Sequence, residues 1–340
     1  MSEHFKHCLN HLTKGADLSF DEMSALMNDL MSGNLTPVQI SALIIAIKIK
    51  GESVDEITGA ASVMRERANQ VKIKNTQHLI DTCGTGGDSL QTFNVSTMSA
   101  IIAAAAGVKV AKHGGRSVSS KCGSADVLEA LGVNVNLDHV QIGELVNNIG
   151  IGFMFAPNYH PAMKYVAPVR KELGGRTLFN LLGPLTNPAR AKQQLLGVYQ
   201  KDLTIVLARV LEKMGSTHVM VVSGEDGMDE ISITGKTFVA ELKHNAVEEY
   251  LVEPEMYDIP IGRLEDITVK DVMHSKAMMM DILKGKPSTA RNISLLNAGA
   301  AIYVSGLAEN IKMGIDRAKD VVDSGEALSK LNELVLLSNA

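Results

Sequence analysis

Two stretches of this chain share one local grammar, and that grammar restricts the fold more than anything else in the sequence. In "HLIDTCGTGGDSLQTFNVST" the apolar pair Leu79–Ile80 leads into a loop holding Gly84, Thr85, Gly86, Gly87 and Asp88. A run of hydroxyl and amide side chains follows and opens a helix near Asn94–Ser96. In "VKVAKHGGRSVSSKCGSADVLEALG" a second short apolar run leads into Gly114 and Gly115, three cations (Lys112, Arg116, Lys121) and four serines (Ser117, Ser119, Ser120, Ser124), and then another helix. Strand, glycine loop and helix in succession are the repeating unit of a parallel sheet covered by helices.

The segments around these two units agree. "HLID", Ser96–Ala106, "VKVAK", Ser124–Leu131, "IGFMFA", "LLGVY" and "HVMVVSG" alternate strand and helix patterns from about residue 77 onward. Before that point the chain reads as helical. Ser19–Glu22, Thr36–Gln39 (with Pro37 at the first helical position) and Ser53–Glu56 are capping boxes, and Gly33 and Gly51 are stops. The expected fold is α/β: a small N-terminal α-helical domain, residues 1–70, and a larger α/β domain, residues 71–340, with a mainly parallel central sheet. Asn69–Gln77 is the expected hinge. The helix in "ISALIIAIKIKG" is apolar almost all round, which predicts burial on several sides, a subunit interface supplying one of them. Beyond Met256 the helical segments Ser294–Ser305 and Leu307–Asp323 carry no legible chemistry.

Composition narrows the function. Lys plus Arg total 33 against 38 for Asp plus Glu, so the net charge is −5. A broad nucleic-acid surface is not expected at that balance. The cysteines Cys8, Cys83 and Cys122 lie far apart and show no ligand spacing, so neither a disulfide framework nor a zinc site is expected. The N-terminus lacks a signal-peptide profile and no apolar run approaches the roughly 20 residues of a membrane span. A cytoplasmic location and no membrane partner are the expectation.

The chemistry sits in four places. Glycines in the first loop let backbone N–H groups face a ligand, and a helix N-terminus favours an anion there. By glycines alone the stretch is equally a capped turn; Asn94, Ser96 and Thr97 tilt the reading to phosphate. The second loop supplies hydroxyls and cations suited to a phosphate or pyrophosphate. Two such loops at the carboxyl ends of parallel strands mark the ligand-binding edge. The third place is "GEDGMDEISITG", where Asp229 and Glu230 offer hard oxygen ligands for Mg²⁺ or merely a solvated acidic loop. Adjacent residues of a regular strand face opposite ways, so joint action by these two requires a bend or a bridging water. The fourth is Phe155–Arg190, in which Arg170 can pair with a carboxylate bidentately or form a surface ion pair.

Together "GTGGD", "NVST", "KHG-R-SSKCGSAD", "FAPNYHPAMK-VR-ELG-RT-FNLLGPLTNP", the Asp229–Glu230 pair and "KGESVDEITGAASVMRE" resemble the anthranilate phosphoribosyltransferase family over nearly the whole chain. The resemblance implies the fold of that family, similar to pyrimidine nucleoside phosphorylases, and a homodimer formed through the helical domain. It implies transfer of a phosphoribosyl group from phosphoribosyl pyrophosphate to the amine of anthranilate, in tryptophan biosynthesis, with Mg²⁺ required. By the same resemblance Gly84, Gly87, Asp88, Thr92, Asn94, Val95, Ser96, Thr97, Lys112, His113, Gly114, Gly115, Arg116, Ser117, Val118, Ser119, Ser120 and Ser124 would hold phosphoribosyl pyrophosphate. Ser96, Asp229 and Glu230 would serve the magnesium. Gly84, Gly115, Ala156, Pro157, His160 and Arg170 would meet anthranilate. One position departs: the family usually reads "KHGNR", and Gly115 here cannot supply the asparagine amide that contacts the acceptor. Transition-state stabilisation would fall to Lys112 and Mg²⁺, with no protein nucleophile or general base. The alternatives are a same-fold phosphoribosyltransferase or phosphorylase with another acceptor, and a non-catalytic nucleic-acid-binding relative.

Overall fold

Capping chemistry sets the ends of the first helices. In a computed structural model that describes residues 3–88, 90–116 and 122–340, these are α1 (Glu3–Thr13), α2 (Phe20–Met31), α3 (Pro37–Lys50) and α4 (Val54–Glu66). Ser19, Thr36 and Ser53 each accept a hydrogen bond from the backbone N–H three residues on, and Glu22, Gln39 and Glu56 reach back. The orphan donors of each helix start are thereby satisfied. Helix α3 buries Ile40, Leu43, Ile44 and Ile47 but leaves Val38 and Ile49 almost fully exposed, at 78% and 82%, with Ile45 partly so. Its burial within one chain is therefore one-sided.

The remainder alternates as expected: β1 (Leu79–Gly84), α5 (Val95–Ala105), β2 (Lys109–Gly114), α6 (Ser124–Ala130), α7 (His139–Ile149), β3 (Ile151–Phe155), α8 (Ala156–Tyr159), α9 (Ala167–Leu173), α10 (Leu178–Leu185), β4 (Gln193–Gly197), α11 (Asp202–Lys213) and β5 (His218–Gly224). A hairpin, β6 (Thr237–Lys243) and β7 (Ala246–Val252), and helices α12 (Val272–Leu283), α13 (Thr289–Val304), α14 (Ile311–Asp323) and α15 (Glu326–Ser338) complete the chain. The sheet has seven strands in the order β3-β2-β1-β4-β5-β6-β7. The first five in that order pair in parallel, and β6 and β7 are antiparallel. Strand order reverses between β1 and β4, since the chain runs outward through β2 and β3 before returning to the other side of β1. In open α/β sheets a ligand crevice lies outside the carboxyl ends of the strands at such a point.

Alternation along the strands feeds two cores. Ile80, Val110, Leu195 and Met220 face α5, α7 and the C-terminal helices. Leu196, Val219, Val221 and Leu242 face a second core shared with α1–α4, α10 and α11. Helix α5 is the pivot of the first core, with Met98, Ile101 and Ile102 at most 1% exposed. Each such side chain contributes about 1.5–3 kcal/mol by leaving water. Two C-terminal boundaries differ from the sequence reading. Helix α13 begins at Thr289 because Ser288 caps it, and α14 begins at Ile311 because Asn310 caps it, after Gly306 turns the chain with a φ of 79°.

At the far end of β5 a buried carboxylate is fully partnered. Glu241 accepts hydrogen bonds from His218 Nε2, Tyr250 and Tyr303, each at 2.7 Å. Burial alone would raise this carboxyl, but those three donors outweigh it and hold it below the usual range. The stability it contributes is therefore present above the ordinary glutamate value of about 4.3 and is lost as pH falls through the lower folded value. Glu241→Gln is expected to cost about 1–3 kcal/mol at pH 7 and to flatten the acid limb of stability below about pH 5. Urea unfolding from pH 3 to 7 checks this, and parallel acid limbs for the two proteins would contradict it.

Candidate active site

Two residues without side chains decide what lies at the switch point. Gly84 and Gly197 end β1 and β4 and are register partners. A β-carbon on Gly197 would overlap the backbone of Asp229, and one on Gly84 would overlap its carboxylate. Their absence lets the loop after β5 fold over the strand ends. That loop is tightly held. Gly224 N–H bonds Met228 O at 2.9 Å, and Asp226 accepts from Met228 N–H, Ser232 and Thr234. On the other side the buried Asn297 of α13 exchanges two 2.9 Å hydrogen bonds with the backbone of Ile231. Asp229 and Glu230 therefore lie in a bend and not in a strand, which lets both carboxylates turn to the same crevice. Asp229 Oδ2 accepts from Gly86 N–H at 2.7 Å, and Glu230 Oε1 accepts from Ser96 N–H at 3.0 Å. One acid is tied to the glycine loop and the other to the first turn of α5.

The electrostatics are strongly anionic. Lys112, 3% exposed, donates to Thr82 O and to Ser96 Oγ, the latter at 3.1 Å. Burial pulls its ammonium down, opposed by Asp81, Cys83, Glu230 and Asp229. Burial pushes the Asp229 carboxyl up, and repulsion from Asp88 adds to it; Glu230 is pushed up by burial and then by Asp229. Asp88 is raised by burial as well. Beneath them Asp81, 1% exposed, accepts from His113 N–H at 3.2 Å. Three carboxylates around one lysine form a set that a divalent cation with oxygen preference would complete.

Anion donors flank this set. Asn94 sits at the N-cap of α5 yet makes no capping hydrogen bond with its side chain. Its amide is held instead by Cys122 O, Cys122 Sγ and Ser275 Oγ. The hydroxyls of Thr85 and Thr97 are buried with no protein partner among the described residues. Val95 is buried and its N–H bonds Phe93 O, so it contributes packing. Thr92 bridges to Thr268 at the rim. Gly87 sits at a φ of 82°, where only glycine is relaxed, and its carbonyl accepts from Arg176, which stacks 3.8 Å over Tyr199.

The second loop is described in part. Gly114 lies against Ser124 Oγ and Phe153, and Ser124 Oγ bonds Gly115 O at 3.2 Å. Among the described residues, nothing lies within 4 Å of where a β-carbon on Gly115 would sit. Arg116 turns outward to Asp126 and Glu129, each at 2.7 Å. Ser117, Val118, Ser119 and Ser120 fall outside the described residues.

Of the residues expected to meet an acceptor, Ala156 and Pro157 start α8 at the end of β3. His160 Nε2 lies 3.2 Å from His113 Nε2. Burial holds both rings neutral, His113 near 3 and His160 near 4, so one donates and the other accepts. Arg170 on α9 lies 5.5 Å over the Phe179 ring and forms no ion pair among the described residues. The surface-pair reading of Arg170 is therefore not realised. Several supporting residues escaped the sequence reading. Asp81 was in the opening motif, Asn187 lies in "GPLTNP" and bonds Ala111 O at 2.8 Å, and Arg176 follows "ELGG".

The comparisons with known proteins agree with this geometry. A family model described as "Glycosyl transferase family, helical bundle domain" matches residues 6–68, and one described as "Glycosyl transferase family, a/b domain" matches residues 76–328. Fold and site thus define a two-part glycosyl transferase. An anthranilate phosphoribosyltransferase of Chromobacterium violaceum is 53% identical over 97% of this chain and 96% of its own. That of Methylobacillus flagellatus is 52% identical over 98% of each. The Thermus thermophilus enzyme of the same name superposes with a TM-score of 0.93 at 39% identity, covering 98% and 99% of the two chains. The Saccharomyces cerevisiae enzyme in complex with PRPP and Mg gives 0.84 at 27% identity over 94% and 92%. This chain belongs to the anthranilate phosphoribosyltransferase family.

Gly197→Ala is expected to force the Asp229 backbone outward and lower stability by about 1–3 kcal/mol. Gly115→Ala, with no described residue within 4 Å of the added β-carbon, should change stability by no more than about 0.5 kcal/mol. Equal urea midpoints for these two variants would refute the packing argument at the switch point.

Proposed function

We infer that this chain transfers the 5-phosphoribosyl group of phosphoribosyl pyrophosphate to the amine of anthranilate, a step of tryptophan synthesis, and releases pyrophosphate. The observation that carries the reading is the convergence of Asp88, Asp229 and Glu230 at the first turn of α5, with Lys112 facing Asp229 and Glu230. Half-buried carboxylates that repel one another fit Mg²⁺, with Asp229, Glu230 and the Ser96 hydroxyl as the groups that would hold it. Bound there, Mg²⁺ supplies charge neutralisation for a pyrophosphate leaving group.

The protein's own groups supply the rest. The Gly87 backbone and the positive end of α5 would draw phosphate oxygens, beside the unpartnered hydroxyls of Thr85 and Thr97; the N–H groups of Thr85, Gly86, Val95 and Ser96 already serve Gly197 O, Asp229, Phe93 O and Glu230. Lys112, fixed by Thr82 O and Ser96, brings a positive charge to the leaving oxygens. The bond from the anomeric carbon to pyrophosphate breaks with its electron pair going to pyrophosphate. The amine lone pair forms the new bond, and the proton it sheds passes to water. An aromatic amine is neutral at pH 7, so this step asks for no side-chain base. The neutral His113–His160 pair fits a positioning role against an aromatic acceptor, and Arg170 is available for a carboxylate.

Three further readings accompany this one. Residues 1–70 form the helical domain and 71–340 the phosphoribosyl-transfer domain. The exposed Val38, Ile45 and Ile49 of α3 make an apolar stripe suited to a second copy of the chain, giving a homodimer. The three buried free cysteines suit a reducing cytoplasm. Among the described residues no helix is long and apolar enough to cross a membrane.

Purified protein should consume anthranilate fluorescence when given phosphoribosyl pyrophosphate and Mg²⁺, and EDTA should stop it. No consumption by a protein that still binds phosphoribosyl pyrophosphate would assign a different acceptor. Within the acceptor site, Arg170→Ala should raise the KM for anthranilate at least about 10-fold. Gly115→Asn should lower it, because no described residue lies within 4 Å of a β-carbon there and the Gly115 backbone lies outside the left-handed region. In both variants the KM for phosphoribosyl pyrophosphate should stay within about 2-fold, and a matched change in both constants would overturn this assignment.

A further inference from the structure

The N-terminal helices hold a cluster that the transferase site does not use. His7 and His11 stand four residues apart on α1, one above the other on the same face. Their ring centroids are 4.3 Å apart, with the planes inclined at 68°. Opposite them, in the first turn of α2, is Glu22. Its Oε2 is committed to the helix cap, accepting from Ser19 N–H at 2.9 Å and from Ser19 Oγ at 2.8 Å. Its Oε1 takes no part in the cap and lies 3.1 Å from His7 Nε2. The cap therefore orients the carboxylate and aims one oxygen at the histidines, as outer hydrogen bonds orient metal-ligating carboxylates generally. His4 Nε2 lies 3.2 Å from the Glu22 carbonyl and adds a second tie between α1 and α2 at the same level.

One ligand atom each from His7, His11 and Glu22 lies within 4.8 Å of the other two. Ligands of a tetrahedral zinc ion sit roughly 3.3 Å apart, given bonds of about 2.0–2.1 Å. The remaining gap is of the size that side-chain rotation can close. Two imidazoles and one carboxylate suit Zn²⁺, whereas Mg²⁺ takes oxygen ligands. The partial exposure of the cluster leaves room for water as a fourth ligand. Cys8 is not a candidate ligand: it is fully buried and its Sγ faces the His4 ring.

We propose that His7, His11 and Glu22 form a zinc site that clips α1 to the start of α2. The site is separate from the acidic centre at the strand ends and does not depend on the function assigned there. The cysteine spacings gave no sign of it, and the histidine pair spaced by three residues is what marks it.

The test uses full-length, tag-free, metal-stripped protein with Mg²⁺ in excess to occupy oxygen-rich sites. Co²⁺ titration should give the visible absorption band of a site of low coordination number, saturating at one equivalent and displaced by Zn²⁺. His7→Asn and His11→Asn should each weaken binding at least about 100-fold. Zinc should raise the Tm of the parent protein by several degrees and leave both variants unmoved, while without zinc all three melt alike. X-ray absorption of the zinc-loaded parent should show two imidazoles and oxygen. Absence of the band and of the Tm shift would overturn the proposal. So would binding retained in both variants, or a sulfur shell around the metal.

Discussion

The acidic centre of this molecule depends on a steric allowance at the middle of its sheet. The loop after β5 lies across the ends of β1 and β4, and it can do so only because Gly84 and Gly197 stop short of a β-carbon. A methyl group at either position would occupy space now held by Asp229. The consequence runs outward from there. With Asp229 seated, Gly86 N–H has its acceptor, Glu230 reaches the N-terminus of α5, and the glycine loop and the helix become two walls of one crevice. Asn297, from a helix far along the chain, fixes the following residue and so fixes the pair.

That arrangement concentrates like charge where water is scarce, which is costly unless a counter-charge completes it. Lys112 supplies one positive group and is itself held against burial by the acids around it. The remaining deficit is what suits the crevice to a metal and a polyanionic substrate together. The walls add neutral groups: the hydroxyls of Thr85 and Thr97, buried with no partner among the described residues, and a helix start whose Asn94 side chain makes no capping hydrogen bond. On the other side of β2 and β3 the groups change character. Burial keeps His113 and His160 neutral, and Arg170 lies over Phe179 with no ion pair among the described residues. A charged side and a largely uncharged side with one arginine suit the sugar pyrophosphate and the aromatic acid of the proposed reaction.

Much of this was legible in the chain because local rules point the same way at each step. The capping boxes at Ser19, Thr36 and Ser53 fixed three helices, and the alternation of apolar runs fixed a parallel sheet. Asp88 and Lys112, singled out from the sequence, come together in the structure with the Asp229–Glu230 pair. What escaped were contacts between residues distant in sequence. Nothing near Gly197 says that Asp229 will rest on it, and nothing near Asn297 says that it will clamp Ile231. Arg116 illustrates the opposite case: a cation in a phosphate-like loop turns instead to Asp126 and Glu129, one helix turn apart on α6. Ser288 and Asn310 are ordinary caps, and overlooking them displaced the starts of α13 and α14.

Crystals grown with phosphoribosyl pyrophosphate and Mn²⁺ in place of Mg²⁺ test the central claim most directly, through the position of the manganese anomalous peak. The account predicts a peak within coordination distance of the Asp229 or Glu230 carboxylate, over the ends of β1 and β4, with Lys112 still bonded to Ser96. Well-ordered substrate with no anomalous peak at that acidic pair would contradict it.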